Sequence, residues 1–163
     1  NPLQPGPHDA ADEADLLARN LPFAWRLSLS AARTEIGRAW TALSFVEMTA
    51  EGPVSRSARP DLHGDIIIAR KDSPSAYHIA ATHDDALQGM THIIRGEDLL
   101  DAPHIQTLLQ VLMGWPHPVY QHHALLYDQS GAKLSKRQKS ISLASLRADG
   151  MTANQVRARL GFA

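Results

Sequence analysis

The period of hydrophobic and polar positions changes several times along this chain, and each change predicts an element. Asp65 to Arg70 is an apolar, β-branched run that ends in the turn-forming cluster Lys71-Asp72-Ser73-Pro74-Ser75, which predicts a strand and then a turn. Ala76 to Thr82 predicts a second strand, and the two together predict a hairpin. Thr91 to Arg95 predicts a third strand, stopped at Gly96. Ile105, Leu108, Leu109 and Leu112 then recur at i, i+3, i+4 and i+7, one face of a helix. Asp101 is placed to cap that helix, its first turn tolerates Pro103, and Gly114 with Pro116 and Pro118 ends it. Val119 to Tyr127 predicts another strand, and Gln129-Ser130-Gly131 a turn. Strand, helix, strand with a right-handed crossover is a βαβ unit, so the fold class predicted is α/β with parallel strands.

The two ends carry simpler signals. Residues 1 to 8 hold Pro2, Pro5, Gly6 and Pro7 and read as an extended linker. Asp9 to Asn20, acidic early and carrying Leu16, Leu17 and Arg19 late, predicts a short helix. Phe23 to Leu27 predicts a strand, after which no clear period emerges before Val54. Ser142 to Asp149 predicts a helix closed by Gly150. A second follows, with Thr152 and Gln155 at capping-box spacing and Gly161 at its end.

Composition narrows the picture. The 163 residues are 44% hydrophobic and 20% charged, values of a folded domain rather than a disordered chain. A net charge of −1 advertises no general affinity for nucleic acid, so any RNA contact must be local. Without cysteine there are no disulfides and no thiolate metal sites. The longest apolar runs are far too short to span a membrane and no signal peptide opens the chain, so a cytoplasmic location is expected.

Chemistry concentrates in one stretch. Between Asp128 and Asp149 there is no acidic residue, whereas Lys133, Lys136, Arg137, Lys139 and Arg147 all fall there. Two ammonium groups three residues apart, with Ser135 between them, can close on a polyphosphate; a solvated basic turn would carry the same charge. The nine histidines suggest no metal centre: adjacent residues such as His122 and His123 on a strand face opposite ways. Trp25, Trp40 and Trp115 read as packing residues.

Two ordered blocks carry a resemblance. Asp84-Asp85-Ala86-Leu87-Gln88-Gly89-Met90-Thr91-His92-Ile93-Ile94-Arg95-Gly96-Glu97-Asp98 is similar to a block of the glutamyl-tRNA synthetase family, class I aminoacyl-tRNA synthetases. Lys133-Leu134-Ser135-Lys136-Arg137 resembles that family's KMSKS signature. The segment between, with Leu112-Met113-Gly114-Trp115-Pro116 and Tyr120-Gln121-His122-His123, also looks like the family's, and the resemblance runs from Tyr77 to about Gly161.

The resemblance implies a fold, a chemistry and a set of roles. Residues 1–75 would be the remainder of an α+β insertion that binds the tRNA acceptor end. Residues 76–141 would be the second half of a Rossmann-type catalytic domain with its KMSKS-like loop, and residues 142–163 a short helical tail. Tyr77 and Arg95 would bind glutamate, a task that suits the planar donor fork of guanidinium. An ordinary strand aromatic and a strand-end ion pair to Glu97 or Asp98 are the plainer readings of those two. Lys133, Ser135 and Lys136 would be catalytic, Lys133 and Lys136 would contact ATP phosphates, and Leu125 and Leu126 would meet adenine through their backbone. Asp84 and Asp85 are expected to fix a turn or cap a helix. ATP with Mg2+ is the implied cofactor set, and L-glutamate and tRNA are the implied partners.

The departures are informative. No His-x-Gly-His tetrapeptide occurs, nor the Cys-rich segment that binds zinc in many relatives, so both are expected upstream of this chain. Gln138-Lys139 stands where translational members usually place His-Gly, and the chain stops at Leu160-Gly161-Phe162-Ala163, where a translational member would continue into a long anticodon-binding region. Both features favour the truncated branch of the family, which transfers glutamate to queuosine in the anticodon loop of tRNA(Asp). Part of a translational enzyme charging tRNA(Glu), and a non-catalytic nucleotide- or RNA-binding module, are the alternatives. These residues alone are expected to be inactive.

Overall fold

The computed structural model describes residues 9–19, 23–70, 72, 74–128, 131–134 and 141–162. The chain divides into two compact units, Asn1–His123 and Ala124–Ala163.

In the first unit, helix α1 (Ala10–Ala18) begins where expected, with the Asp9 carboxylate accepting the Ala11 and Asp12 N–H groups at 2.9 and 2.8 Å. Strand β1 (Ala24–Leu27) and α2 (Leu29–Ile36) follow. A hairpin of β2 (Ser44–Thr49) and β3 (Gly52–Ser57) comes next, then β4 (Ile66–Arg70), α3 (Tyr77–Leu87), β5 (His92–Gly96), α4 (Ala102–Met113) and β6 (Val119–His123). β1 and β4 form an antiparallel ribbon, with a bulge between Trp25 and Arg26. The other strands make a four-stranded sheet in the order β3-β2-β6-β5, in which β6 runs parallel to both β2 and β5. The predicted βαβ unit is therefore present as β5–α4–β6.

Helix α4 holds this unit together because it is apolar on more than one side. Leu108 packs into a cluster with Phe45 and Tyr120 of the sheet, whereas Ile105 and Leu109 pack with Ile66 of the ribbon. Gly114 ends the helix in the left-handed conformation (φ 66°), which only glycine adopts without steric cost. Asp101 precedes the helix as expected, yet its side chain makes no capping bond; its backbone is already helical.

Three expectations fail here. Ala76 to Thr82 is not a strand but the start of α3, with Thr82 buried and its hydroxyl donating to the His78 carbonyl at 2.7 Å. Ile79 and Thr82 fall three apart, a helical spacing that seven residues are too few to separate from alternation. The predicted hairpin is consequently absent, and β4 pairs with β1 instead. The Asp65 side chain and backbone fasten that pairing by accepting from the Leu29 N–H (2.8 Å) and Arg26 Nη1 (2.9 Å). Strand β6 also ends at His123 rather than Tyr127.

In the second unit, residues 126–128 run antiparallel to residues 131–134. Tyr127 and Lys133 form an isolated antiparallel bridge, and the Leu134 N–H donates to the Leu126 carbonyl at 2.9 Å. Gly131 takes a positive φ of 83° at the reversal, and the Asp128 carboxylate accepts from the Ala132 N–H at 3.0 Å. Helices α5 (Leu143–Ala148) and α6 (Ala153–Arg159) follow, and α6 carries the expected capping box between Thr152 and Gln155.

Candidate functional site

Arg95 stands near the end of β5, opposite His122 of β6. Its guanidinium is gripped from three elements. Nη1 donates to the Tyr77 hydroxyl at the start of α3 (3.4 Å), and Nη2 donates to Gln106 Oε1 on α4 (2.7 Å). The group also lies 5.0 Å from the ring centroid of Tyr120 on β6, a cation–π contact. Helix α3 brings Tyr77 to this place, so the structural surprise in the chain is also what joins the two residues.

Beneath Arg95 the network is buried. Tyr120 is fully buried, stacks edge-on against Phe45, and accepts at its hydroxyl from Gln110 Nε2 at 2.9 Å. Burial pushes the Tyr120 phenol up from its ordinary value, which the Gln110 contact and the Arg95 charge only partly offset. Burial likewise raises Asp85, against the pull of Arg95. Asp84 and Asp85 lie in the last turns of α3, where Asp84 faces His83 at 3.4 Å and neither side chain caps the helix. Three buried polar atoms of this network, Arg95 Nε, Gln106 Nε2 and Gln110 Oε1, have no hydrogen-bond partner among the described residues.

A second polar cluster crosses the sheet. The Glu47 carboxylate on β2 accepts from Arg56 Nε on β3 (2.8 Å) and meets His122 Nδ1 on β6 (3.0 Å). Burial raises Glu47, but the contacts with Arg56 and His122 outweigh it and leave the carboxyl lowered. His122 is turned inward while His123 is exposed. Among the described residues no group of three or more His, Asp or Glu side chains could hold a metal ion.

The other expected site residues lie in the second unit. Leu126 and Lys133 occupy facing arms of the small reversal, with Leu125 just before it. Ser135 and Lys136 lie outside the described residues. Gln106, Gln110 and Tyr120 were not marked as site residues by the sequence. The available signal was two glutamines four apart on a helix otherwise rich in apolar residues, which places both on one face.

The family description "tRNA synthetases class I (E and Q), catalytic domain" matches residues 47–161, and the chain belongs to that family. It is similar to the glutamyl-Q tRNA(Asp) synthetase of Rhodobacter capsulatus, 38% identical over 85% of this chain and 49% of that protein. It is also similar to the enzyme of that name from Nocardia farcinica, 33% identical over 92% of this chain and 43% of that protein. The chain thus spans about half the length of these curated relatives. A crystal structure of a glutamate tRNA ligase from Elizabethkingia meningosepticum in complex with its amino acid superposes with a TM-score of 0.56. The two are 25% identical, over 80% of this chain and 24% of that one. The fold is accordingly that of class I synthetases, mixed α/β with a parallel core.

Proposed function

We propose that this chain supplies the substrate-carboxylate pocket and the phosphate-handling loop of an enzyme that activates L-glutamate with ATP and transfers it to queuosine in the anticodon loop of tRNA(Asp). The observation that carries this reading is the meeting of Arg95 with Tyr77 over a buried polar base. A guanidinium held by neighbours, with a phenol beside it, offers a directed set of donors to a carboxylate. The names of the relatives support glutamate and tRNA(Asp) as the partners.

Lys133, with Ser135 and Lys136 beyond it, is the cationic group assigned to the ATP phosphates. Ammonium groups suit that task because negative charge on the transferring phosphoryl group must be offset in the transition state. Leu125 and Leu126 are assigned to adenine, by backbone contact. The family resemblance implies Mg2+ with the nucleotide, where it would neutralise phosphate charge.

The test is aminoacylation by the complete protein. Glutamate attached to queuosine-bearing tRNA(Asp), and released when the queuosine diol is oxidised by periodate, is the expected result. Charging of tRNA(Glu) at its 3′ end instead would make the chain part of a translational ligase.

A further inference from the structure

We propose that Gln106 is a positioning residue that makes the Arg95 site prefer an acidic side chain over its amide, by holding the guanidinium with a neutral acceptor. The inference rests on the assignment of Arg95 and Tyr77 to the substrate carboxylate.

Gln106 is 1% exposed, on the most buried stretch of α4. Ile105, Thr107 and Leu108 around it are also fully buried, so its amide has little freedom to turn. Its Oε1 accepts from Arg95 Nη2 at 2.7 Å, at the short end of N–H···O distances. The orientation of the amide follows from chemistry: with Nε2 turned to the guanidinium, two donors would face each other. Once Oε1 is committed to Arg95, the NH2 group is left buried with no acceptor among the described residues, and Arg95 Nε shares that condition. Unanswered buried donors are uncommon in folded proteins, and two joined through one hydrogen bond suit a site that awaits an anion.

The second part of the argument concerns charge. Gln106, Tyr77 and Tyr120, which grip the guanidinium, are all uncharged, and burial keeps the Tyr120 phenol protonated. The charge of Arg95 also reaches Asp85, a carboxyl that burial pushes up and that Arg95 pulls only part of the way back. A carboxylate at position 106 would hold the guanidinium at least as firmly, but it would spend the positive charge inside the protein. A glutamine fixes the same group and leaves its charge for the ligand. Fixing and discharging are thus separable, and position 106 is where they part.

Gln106→Glu is nearly isosteric and tests this directly in the complete protein, read by glutamate-dependent and glutamine-dependent ATP–pyrophosphate exchange at saturating ATP. The expected result is a rise in KM for glutamate of about tenfold or more, the scale of one charge-assisted contact. The preference for glutamate over glutamine should fall by a similar factor, with the change carried by KM rather than kcat. Gln106→Met, uncharged and of similar volume, should raise the glutamate KM while keeping the preference. An unchanged preference in Gln106→Glu, or a lost preference in Gln106→Met, would overturn the proposal. Arg95→Ala separates the two levels. If it abolishes glutamate use while Gln106→Glu keeps the preference, the pocket assignment stands and the role of Gln106 fails. If it leaves the glutamate KM unchanged, the pocket assignment fails and takes the role of Gln106 with it.

Discussion

Arg95 and Lys133 are both cations assigned to anionic groups, yet they are held in opposite ways. Arg95 is fixed by side chains from α3, α4 and β6, residues 11 to 25 positions distant from it in sequence, over a buried base. Lys133 sits on a reversal closed by backbone bonds between Leu126 and Leu134 and between Asp128 and Ala132. The first arrangement exists only when the whole unit has folded; the backbone bonds that close the second join residues no more than eight apart. A pocket that must tell one amino acid from its amide needs the rigidity of a packed core. A loop that meets a triphosphate needs charge and reach, which local turns can provide.

That contrast can be broken most forcefully at Leu108, which is 0% exposed between Phe45 and Tyr120. Leu108→Ala is expected to cost about 2–5 kcal/mol of stability by urea denaturation and to disorder the Arg95 grip with it. Leu126→Ala, at a side chain 51% exposed, should cost no more than about 0.5 kcal/mol. Equal losses would show that the reversal is not self-sufficient.

A smaller effect is expected at the helix of the second unit. Thr152→Ala removes the hydroxyl that accepts the Gln155 N–H and half of the capping box, at a cost of about 1 kcal/mol. Hydrogen exchange should record faster opening of Ala153–Arg159 and unchanged protection of α4.

The mildest and most diffuse probe is pH. Burial first, and then the neighbouring His63, hold His78 and His104 below the ordinary histidine value of 6.5. Their folded forms therefore bind fewer protons than the unfolded chain, so stability present above about pH 6.5 is lost as pH falls toward the lowered values. Glu47, also lowered by its Arg56 and His122 contacts, adds a loss of the same sign further into the acid range, below its ordinary 4.5. A melting temperature that stays level from pH 7 to pH 5 would contradict the histidine part of this account.

What could be read from residues alone follows the same division between local and distant. The α4 stripe, its glycine stop, the α6 capping box and the parallel β5–α4–β6 unit were legible because each is written in consecutive residues. The β1–β4 pairing was not, since it joins segments about 40 residues apart and is secured by Asp65, whose partners no motif announces. α3 was misread because its first seven residues mix β-branched and aromatic side chains with too few turns to establish a period. Tyr77 and Arg95 were marked by resemblance, while Gln106 and Gln110 were passed over. A glutamine gains meaning only when its burial is known, and with it which polar atoms have a partner and which do not.

The sheet order has a consequence for synthesis of the protein on the ribosome. β2 is flanked by β3, made immediately after it, and by β6, made about 70 residues later. At roughly 5–20 residues per second, the β2–β3 hairpin emerges with one edge bare for several seconds to more than ten before its parallel neighbour appears. Over that interval the Val46–Met48 edge, which ends against Val119 to Gln121, is open to any other extended chain nearby. A newborn chain of this protein is therefore vulnerable along β2 while it waits for β6 to be translated.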